Sequence, residues 1–165
     1  EDVLNGREGV SIANYNCPGQ IVITGEAKAV AEAGTALKEA GARRVLPLKV
    51  SGPFHSPMMR PAGEELAKVF AGVSMNPLKV PYVANINAEV ITDCGKIEEL
   101  LVAQVSGSVR WQQSVETMIR EGVDTFVEIG PGKTLTGFLR KIDKNVKSYH
   151  IGSWVEAVSV CEELK

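Results

Sequence analysis

Cysteine, net charge and long apolar runs are all scarce in this chain of 165 residues, and each scarcity excludes a class of protein. Its three cysteines, Cys17, Cys94 and Cys161, are widely spaced and odd in number. The sequence therefore indicates neither a disulfide framework nor a metal site, and reduced thiols in a cytoplasm fit best. The formal net charge of -2, with both signs mixed, gives no reason to expect a nucleic acid or a membrane as partner. No apolar run approaches the roughly 20 residues of a membrane-spanning helix, and nothing near Glu1 resembles a signal peptide.

Apolar residues make up 44% of the chain, which is enough to bury a sizeable core in about one domain. The first part reads as a β-β-α-β unit, which one more strand and helix would complete to a ferredoxin-like module. Residues 1–7 resemble the last turn of a helix that ends before Gly9. The unit itself is predicted as strands over residues 10–16 and 20–24 joined by a Pro18-Gly19 turn, a helix over 27–38 that stops at Gly41, and a strand over 43–50.

The rest of the chain alternates helices with short apolar strands, which predicts an α/β fold. Pro61 is typical of a first helical turn, and Ser153 is typical of a helix N-cap. The predicted helices cover residues 61–70, 96–105, 111–120, 134–142 and 153–164, and the predicted strands cover 80–86, 125–129 and 148–151.

One of only two histidines, His55, follows the predicted strand 43–50 in an open loop, where an imidazole can exchange protons with a substrate. A lone histidine is more often structural, with its ring satisfied by a backbone carbonyl. The other histidine, His150, lies within an apolar strand and fits a core or edge position better. The turn at residues 130–134 lacks the spacing of a phosphate loop, so its two glycines are better explained by a tight strand-to-helix turn.

Four strings occur together in the chain and carry a specific resemblance. They are NCPGQIVITG at residues 16–25, VSGPFHSPMM at 50–59, VRW at 109–111 and EIGPGKTL at 128–135. In this order and spacing they resemble bacterial malonyl-CoA:acyl carrier protein transacylases. The resemblance covers the C-terminal half, or slightly more, of that family's fold.

The resemblance implies part of an α/β-hydrolase-like acyltransferase domain with a truncated ferredoxin-like inserted subdomain. Residues 1–50 would be the remainder of the small subdomain, and residues 51–165 the C-terminal part of the large domain. In the family, the nucleophile is a serine in a G-H-S-x-G elbow and an arginine binds the malonyl carboxylate; both precede the first residue here. We therefore expect the chain to be a fragment that is inactive by itself, with the missing N-terminal half as a partner.

The family's roles can be carried onto matching residues of this chain. His55 would be the base for the serine, and the main-chain carbonyl of Gln104 would orient its ring. Phe54 would narrow the acyl pocket, and Asn16 and Gln20 would lie beside the cleft. The implied substrates are malonyl-CoA and acyl carrier protein in the cytoplasm, with no cofactor and no metal. Docking of the acidic carrier protein would use four basic residues: Arg43, Arg44, Arg140 and Lys141.

Two other classes of function stay open on the sequence alone. The chain could be a carrier-binding module without catalysis, or an acyltransferase-like structural remnant. A carboxylesterase-like hydrolase is disfavoured because the chain holds no G-x-S-x-G elbow.

Overall fold

The computed structural model of the protein describes residues 1–164. It combines six α-helices and six strands, and the strands pair into three two-stranded sheets within the described residues. The strands are β1 (Val10–Cys17), β2 (Gln20–Gly25), β3 (Tyr82–Val83), β4 (Val90–Ile91), β5 (Thr125–Ile129) and β6 (Lys147–Ile151). The helices are α1 (Ala27–Glu39), α2 (Arg60–Phe70), α3 (Ile97–Ser106), α4 (Trp111–Arg120), α5 (Thr134–Ile142) and α6 (Trp154–Glu163).

The first two strands form the predicted antiparallel hairpin, with Cys17 opposite Gln20 across a two-residue turn. Pro18 fixes its own φ near -65°, and Gly19 supplies the left-handed φ of +76° that closes the turn. The preceding helical turn is a short 3-10 helix at Asp2–Leu4. The prediction of the hairpin and of α1 is therefore confirmed.

The predicted strand over residues 43–50 is wrong, and the β-β-α-β unit is observed as β-β-α. This segment has no regular secondary structure and pairs with no strand within residues 1–164. The side chains of Leu46, Leu48 and Val50 stay in solvent, since each is more than 60% exposed. A strand is defined by hydrogen bonds to a neighbour, so an apolar run alone does not produce one.

The predicted strand over residues 80–86 is shorter than expected. Only Tyr82 and Val83 pair, opposite Ile91 and Val90. Pro81 has no N–H to donate at the start, and the backbone turns back at Ala84, whose carbonyl accepts from the Ala88 N–H at 2.8 Å. The sheet is limited to two residues on each strand.

A second group of elements is built around the parallel strand pair β5 and β6, with α4 and α5 packed nearby. These strands pair in parallel with Glu128 opposite His150, and α5 forms the crossover between them. Helices α4 and α5 contact β1, so the hairpin packs on this group. Residues 108–110 tie the two parts together: the Ser108 hydroxyl donates to the Ile12 carbonyl at 2.6 Å, and the Val109 N–H donates to the Ala13 carbonyl at 2.7 Å.

The core is small and lies where these layers meet. Val115 of α4 and Ala33 of α1 are fully buried, and Leu139 of α5 and Ile91 of β4 are nearly so. Several large apolar side chains remain in solvent, among them Ile129, Trp154 and Val155. Within residues 1–164, no helix has both the length and the apolar character needed to cross a membrane.

Gly25 is expected to be intolerant of a side chain, because it ends β2 at φ +144° and a Cβ there would overlap the Gly9 carbonyl oxygen. Gly25→Ala should lower the free energy of unfolding by more than about 2 kcal/mol, measured by urea denaturation, since backbone strain and overlap add. Gly19→Ala is the matched control: its φ is also positive but its Cβ would meet nothing within 4 Å, so strain alone of about 1 kcal/mol is expected. Equal losses would contradict this account of Gly25.

Candidate active site

The backbone at His55 is held in an unusual conformation by the next residue. His55 has φ +59°, a left-handed value that non-glycine residues seldom adopt. The hydroxyl of Ser56, which is 1% exposed, donates to the Pro53 carbonyl at 2.6 Å and accepts from the Met58 N–H at 3.3 Å. These two bonds close a tight loop around His55, and Pro57–Met59 continues as a 3-10 helix into α2. Ser56 therefore stabilises the backbone of the loop that carries the imidazole.

The ring of His55 contacts α3. Its Nδ1 lies 3.1 Å from the main-chain carbonyl oxygen of Gln104. A carbonyl only accepts, so this contact needs the proton on Nδ1 and leaves Nε2 with a free lone pair. A neutral imidazole with a free Nε2 can accept a proton from a hydroxyl or a thiol.

The contact between His55 and Gln104 depends on how closely α2 packs on α3. Gly63 of α2 is buried, and a Cβ at this position would lie 3.2 Å from the Val102 carbonyl oxygen of α3. A larger residue would move the helices apart, together with the loop that precedes α2. Helix packing thus brings together two residues that are 49 positions apart in the chain.

The predicted pocket residues lie in different surroundings. Phe54 is half-exposed beside His55, with its ring over Gly52. Gln20 is at the hairpin turn, where its Oε1 lies 3.8 Å from the Cys17 Sγ and 3.5 Å from the Lys141 Nζ. Asn16 lies in β1 next to a register irregularity. In the described part of the chain, no hydrogen bond joins either polar residue to His55.

The four predicted docking residues are all exposed, which is compatible with a contact to another protein. Arg140 and Lys141 lie in the last turn of α5, where a positive charge is favourable for the helix dipole. Arg43 and Arg44 lie in the irregular segment after α1. Of these four residues, Lys141 contacts the hairpin, through the side chain of Gln20.

The turn at residues 130–133 joins β5 to α5, and the start of α5 is already occupied by a carboxylate. Glu128 accepts from the Leu135 N–H at 3.0 Å, from the Thr136 N–H at 2.7 Å and from the Thr136 hydroxyl at 2.6 Å. Burial alone would raise the pKa of Glu128, but these hydrogen bonds, together with the nearby His150, hold the pKa below its usual 4.5. A phosphate would meet this negative charge, so the geometry argues against a phosphate site here.

His150 ties the end of β6 to the same turn. Its Nε2 lies 3.0 Å from the Gly130 carbonyl oxygen, while its Nδ1 is buried without a hydrogen-bond partner among residues 1–164. This geometry agrees with a structural histidine at the edge of the sheet.

A cavity of about 90 Å³ lies nearby, between α4, α5 and the parallel pair, and its lining includes Trp111, Phe126 and Leu139 but no residue of the His55 loop. No cluster of three or more His, Cys, Asp or Glu suited to a metal ion occurs in the described residues.

Sequence reasoning missed Ser56 and Glu128. The S-P-x-x spacing at Ser56 is a signal for a local hydroxyl-to-backbone bond and could have been used. Glu128 could not have been found by capping rules, because it precedes α5 by six residues and lies on the previous strand rather than at the N-cap.

The α/β fold and the loop histidine held by a main-chain carbonyl are compatible with an acyltransferase-like site. Residues 1–161 match the family described as acyl transferase domain, and the chain belongs to this family. The family resemblance and the α/β acyltransferase fold are therefore confirmed.

Particular relatives narrow the comparison. The chain is 47% identical to the malonyl CoA-acyl carrier protein transacylase of Bacillus subtilis over 139 residues, which cover 84% of this chain and 44% of the relative. The solved transacylase of the same description from Clostridium perfringens superposes with a TM-score of 0.92 at 39% identity, covering 99% of this chain and 52% of that one. A malonyl-transacylase solved in complex with its type II PKS acyl-carrier protein gives a TM-score of 0.91 at 38% identity, covering 98% and 52%. The chain thus spans about half the length of these relatives.

The carboxylate of Glu128 should make stability depend on pH. Because its folded pKa is depressed, its contribution is present above the usual value of 4.5 and is lost as the pH falls through the lower folded value. Glu128→Gln should lower the free energy of unfolding by about 0.5 to 1 kcal/mol at pH 7. This penalty should shrink progressively as the pH falls below 4.5, measured by urea denaturation across pH. Exposed Glu64→Gln is the matched control, and a Glu128 penalty that does not change as the pH falls below 4.5 would show that its charge is not the cause.

Proposed function

We propose that this chain is the histidine-bearing part of an enzyme that transfers malonyl groups from malonyl-CoA to acyl carrier protein for fatty-acid synthesis. The observation that carries the proposal is the 3.1 Å contact between His55 Nδ1 and the Gln104 carbonyl, because it leaves Nε2 free as a base. The names of the relatives supply the substrates. The chain's own geometry supplies the proton acceptor.

The reaction proceeds in two acyl transfers through a serine. His55 Nε2 takes the serine hydroxyl proton as the oxygen attacks the malonyl thioester carbonyl, the carbon–sulfur bond breaks, and the imidazolium returns its proton to the leaving CoA sulfur. In the second transfer, His55 takes the proton of the carrier protein's thiol, whose sulfur attacks the malonyl ester, and gives it back to the serine oxygen. A base placed in this way contributes about 10² to 10⁴-fold to the rate.

The serine elbow, the carboxylate-binding arginine and the oxyanion donors would come from the other half of the domain. Exposed apolar residues support such a partner, since Ile129 is 77% exposed on β5 and Leu46, Leu48 and Val50 are exposed in the segment after α1. Burial of large apolar side chains stabilises an assembly by about 25 cal/mol per Å² removed from water. In this proposal residues 1–50 belong to a small subdomain and residues 51–165 to the large one.

The remaining residues take roles in binding. Phe54, next to the base and half-exposed, narrows the space around the acyl α-carbon and favours malonyl over a methyl-branched unit. Asn16 and Gln20 line the cleft side of the hairpin. The exposed residues Arg43, Arg44, Arg140 and Lys141 attract the acidic carrier protein.

A chimera tests the proposal directly. Residues 1–164 replace the matching part of the Bacillus subtilis relative, whose own N-terminal half supplies the elbow, and transfer of labelled malonyl from malonyl-CoA to acyl carrier protein is measured. We expect the chimera to transfer the label and this chain alone to form no labelled adduct on a denaturing gel. A folded chimera without transfer, or a labelled band from the chain alone, would contradict the proposal.

In the chimera, His55→Ala should lower kcat by about 10² to 10⁴-fold, because the serine loses its base. The melting temperature should change little, since a loop imidazole contributes little to the core. His150→Gln is the matched control, since it removes the only other histidine of the chain and should leave kcat within about threefold. A His55→Ala variant with activity within the same range would show that His55 is structural.

Charge reversal of Arg140 and Lys141 to Glu in the chimera should raise KM for the carrier protein several-fold at low salt. Each exposed pair is worth under about 1 kcal/mol, so the two changes act together and mainly on the encounter rate. The effect should fade near 0.5 M salt, where screening acts over less than about 8 Å. The double reversal of exposed Lys28 and Lys79 to Glu, which changes the net charge equally, is the control. A penalty that persists at high salt, or one shared by the malonyl-CoA half-reaction, would exclude docking.

A further inference from the structure

Gln104 contacts His55 with two groups of opposite polarity. Its main-chain carbonyl oxygen lies 3.1 Å from Nδ1, and its side-chain Nε2 lies 3.4 Å from the same atom. The carbonyl can only accept a hydrogen bond, and the amide nitrogen can only donate one. Nδ1 cannot satisfy both groups at once, because it carries either a proton or a lone pair.

The side-chain amide is fixed in this orientation by a third atom. Its Nε2 also donates to the Gly107 carbonyl at 3.1 Å, one position beyond α3. Rotation of the amide by 180° would place Oε1 against this carbonyl oxygen and lose the bond. The Gln104 Oε1 is buried and has no hydrogen-bond partner among residues 1–164, so the side chain gives up one hydrogen bond to keep its N–H groups toward Gly107 and His55.

Gly107 itself cannot move away easily. A Cβ at this position would overlap the Ile86 side chain and would lie 3.0 Å from the Ala103 carbonyl oxygen, so the backbone here is tightly enclosed. The next two residues bond to β1 through the Ser108 hydroxyl and the Val109 N–H. The acceptor that orients the amide is therefore part of a rigid segment.

We infer that the Gln104 side chain is a positioning residue that sets the tautomer balance of His55: the main-chain carbonyl favours the proton on Nδ1, and the amide N–H, anchored on Gly107, competes by favouring the lone pair there. Only the tautomer with the proton on Nδ1 has the free Nε2 that accepts a proton. Gln104 thus keeps both tautomers of the His55 ring populated, one that can act as a base through Nε2 and one that cannot.

The competition also affects the imidazolium. When Nε2 has taken a proton, both ring nitrogens carry hydrogen, and the Nδ1–H then faces the amide N–H group at close range. The catalytic meaning of this effect rests on the proposed function, whereas the tautomer balance itself is a property of the chain alone.

Tautomers can be measured without substrate. Long-range ¹H–¹⁵N correlation on ¹⁵N-histidine-labelled chain at about pH 9, where neutral imidazole dominates, distinguishes a protonated from an unprotonated ring nitrogen. The chain holds two histidines, so His55→Ala assigns the signals and His150 serves as an internal reference. We expect intermediate ¹⁵N shifts at both ring nitrogens of His55 in the wild-type chain, which indicate two populated tautomers. A single tautomer of either kind in the wild type would overturn the inference, and this measurement needs no variant that might misfold.

Two variants then test the side chain directly. Gln104→Leu removes the amide but keeps the main-chain carbonyl, so the ratio of Nδ1–H to Nε2–H tautomer should rise about two- to fivefold, as expected for loss of one long neutral hydrogen bond. Gln104→Glu places an acceptor there and should raise the ratio further. Gln112→Leu, which removes a helix glutamine bonded to Glu116, is the matched control and should leave the ratio unchanged. An unchanged or lowered ratio in Gln104→Leu, with the His150 signals retained, would overturn the inference. Failure of malonyl transfer in the chimera would leave these ratios unaffected, so the two proposals fail separately.

Discussion

The site depends on the close approach of α2 to α3 at Gly63. A residue without a side chain at this position allows the helices to pack with only 3.2 Å between the Cβ position and the Val102 carbonyl oxygen. Gln104 follows two residues after Val102 on α3, and His55 precedes α2 by one short 3-10 turn. The spacing of α2 and α3 therefore controls the distance between the His55 imidazole and the Gln104 carbonyl oxygen. Separation of these helices would move His55 away from Gln104.

Elements with a local signal were predictable. The Pro18-Gly19 turn, the helical spacing in α1 and α4, and the apolar run of β5 each fix a conformation from neighbouring residues, and the structure confirms them. The segment at residues 43–50 has an equally apolar pattern but no partner strand within residues 1–164, and it is not a strand. Periodicity reports which side chains can be buried, whereas a ladder also needs a second chain segment at hydrogen-bond distance.

The site was predictable only in part, for a similar reason. His55 and Gln104 came from motifs shared with a family, since nothing in local spacing connects residues 49 positions apart. The expected contact of Gln104 is main-chain, so the resemblance gives no role to its side chain. In the structure, the side-chain Nε2 of Gln104 lies 3.4 Å from the same nitrogen, His55 Nδ1. A contact of this kind depends on the turn at Gly107, whose position is determined by packing against Ile86 and by bonds to β1.

The two groups that contact the His55 ring nitrogen are both neutral. Within residues 1–164, no carboxylate lies within ion-pair distance of the ring, and the group that orients Nδ1 is a neutral carbonyl. A carboxylate in this position would stabilise the imidazolium through a full charge, whereas a carbonyl offers only a dipole. The amide of Gln104 opposes even this dipole. In the proposed malonyl transfer, the ring takes and returns a proton in each half of the reaction, and the group that orients it stays a neutral carbonyl in both.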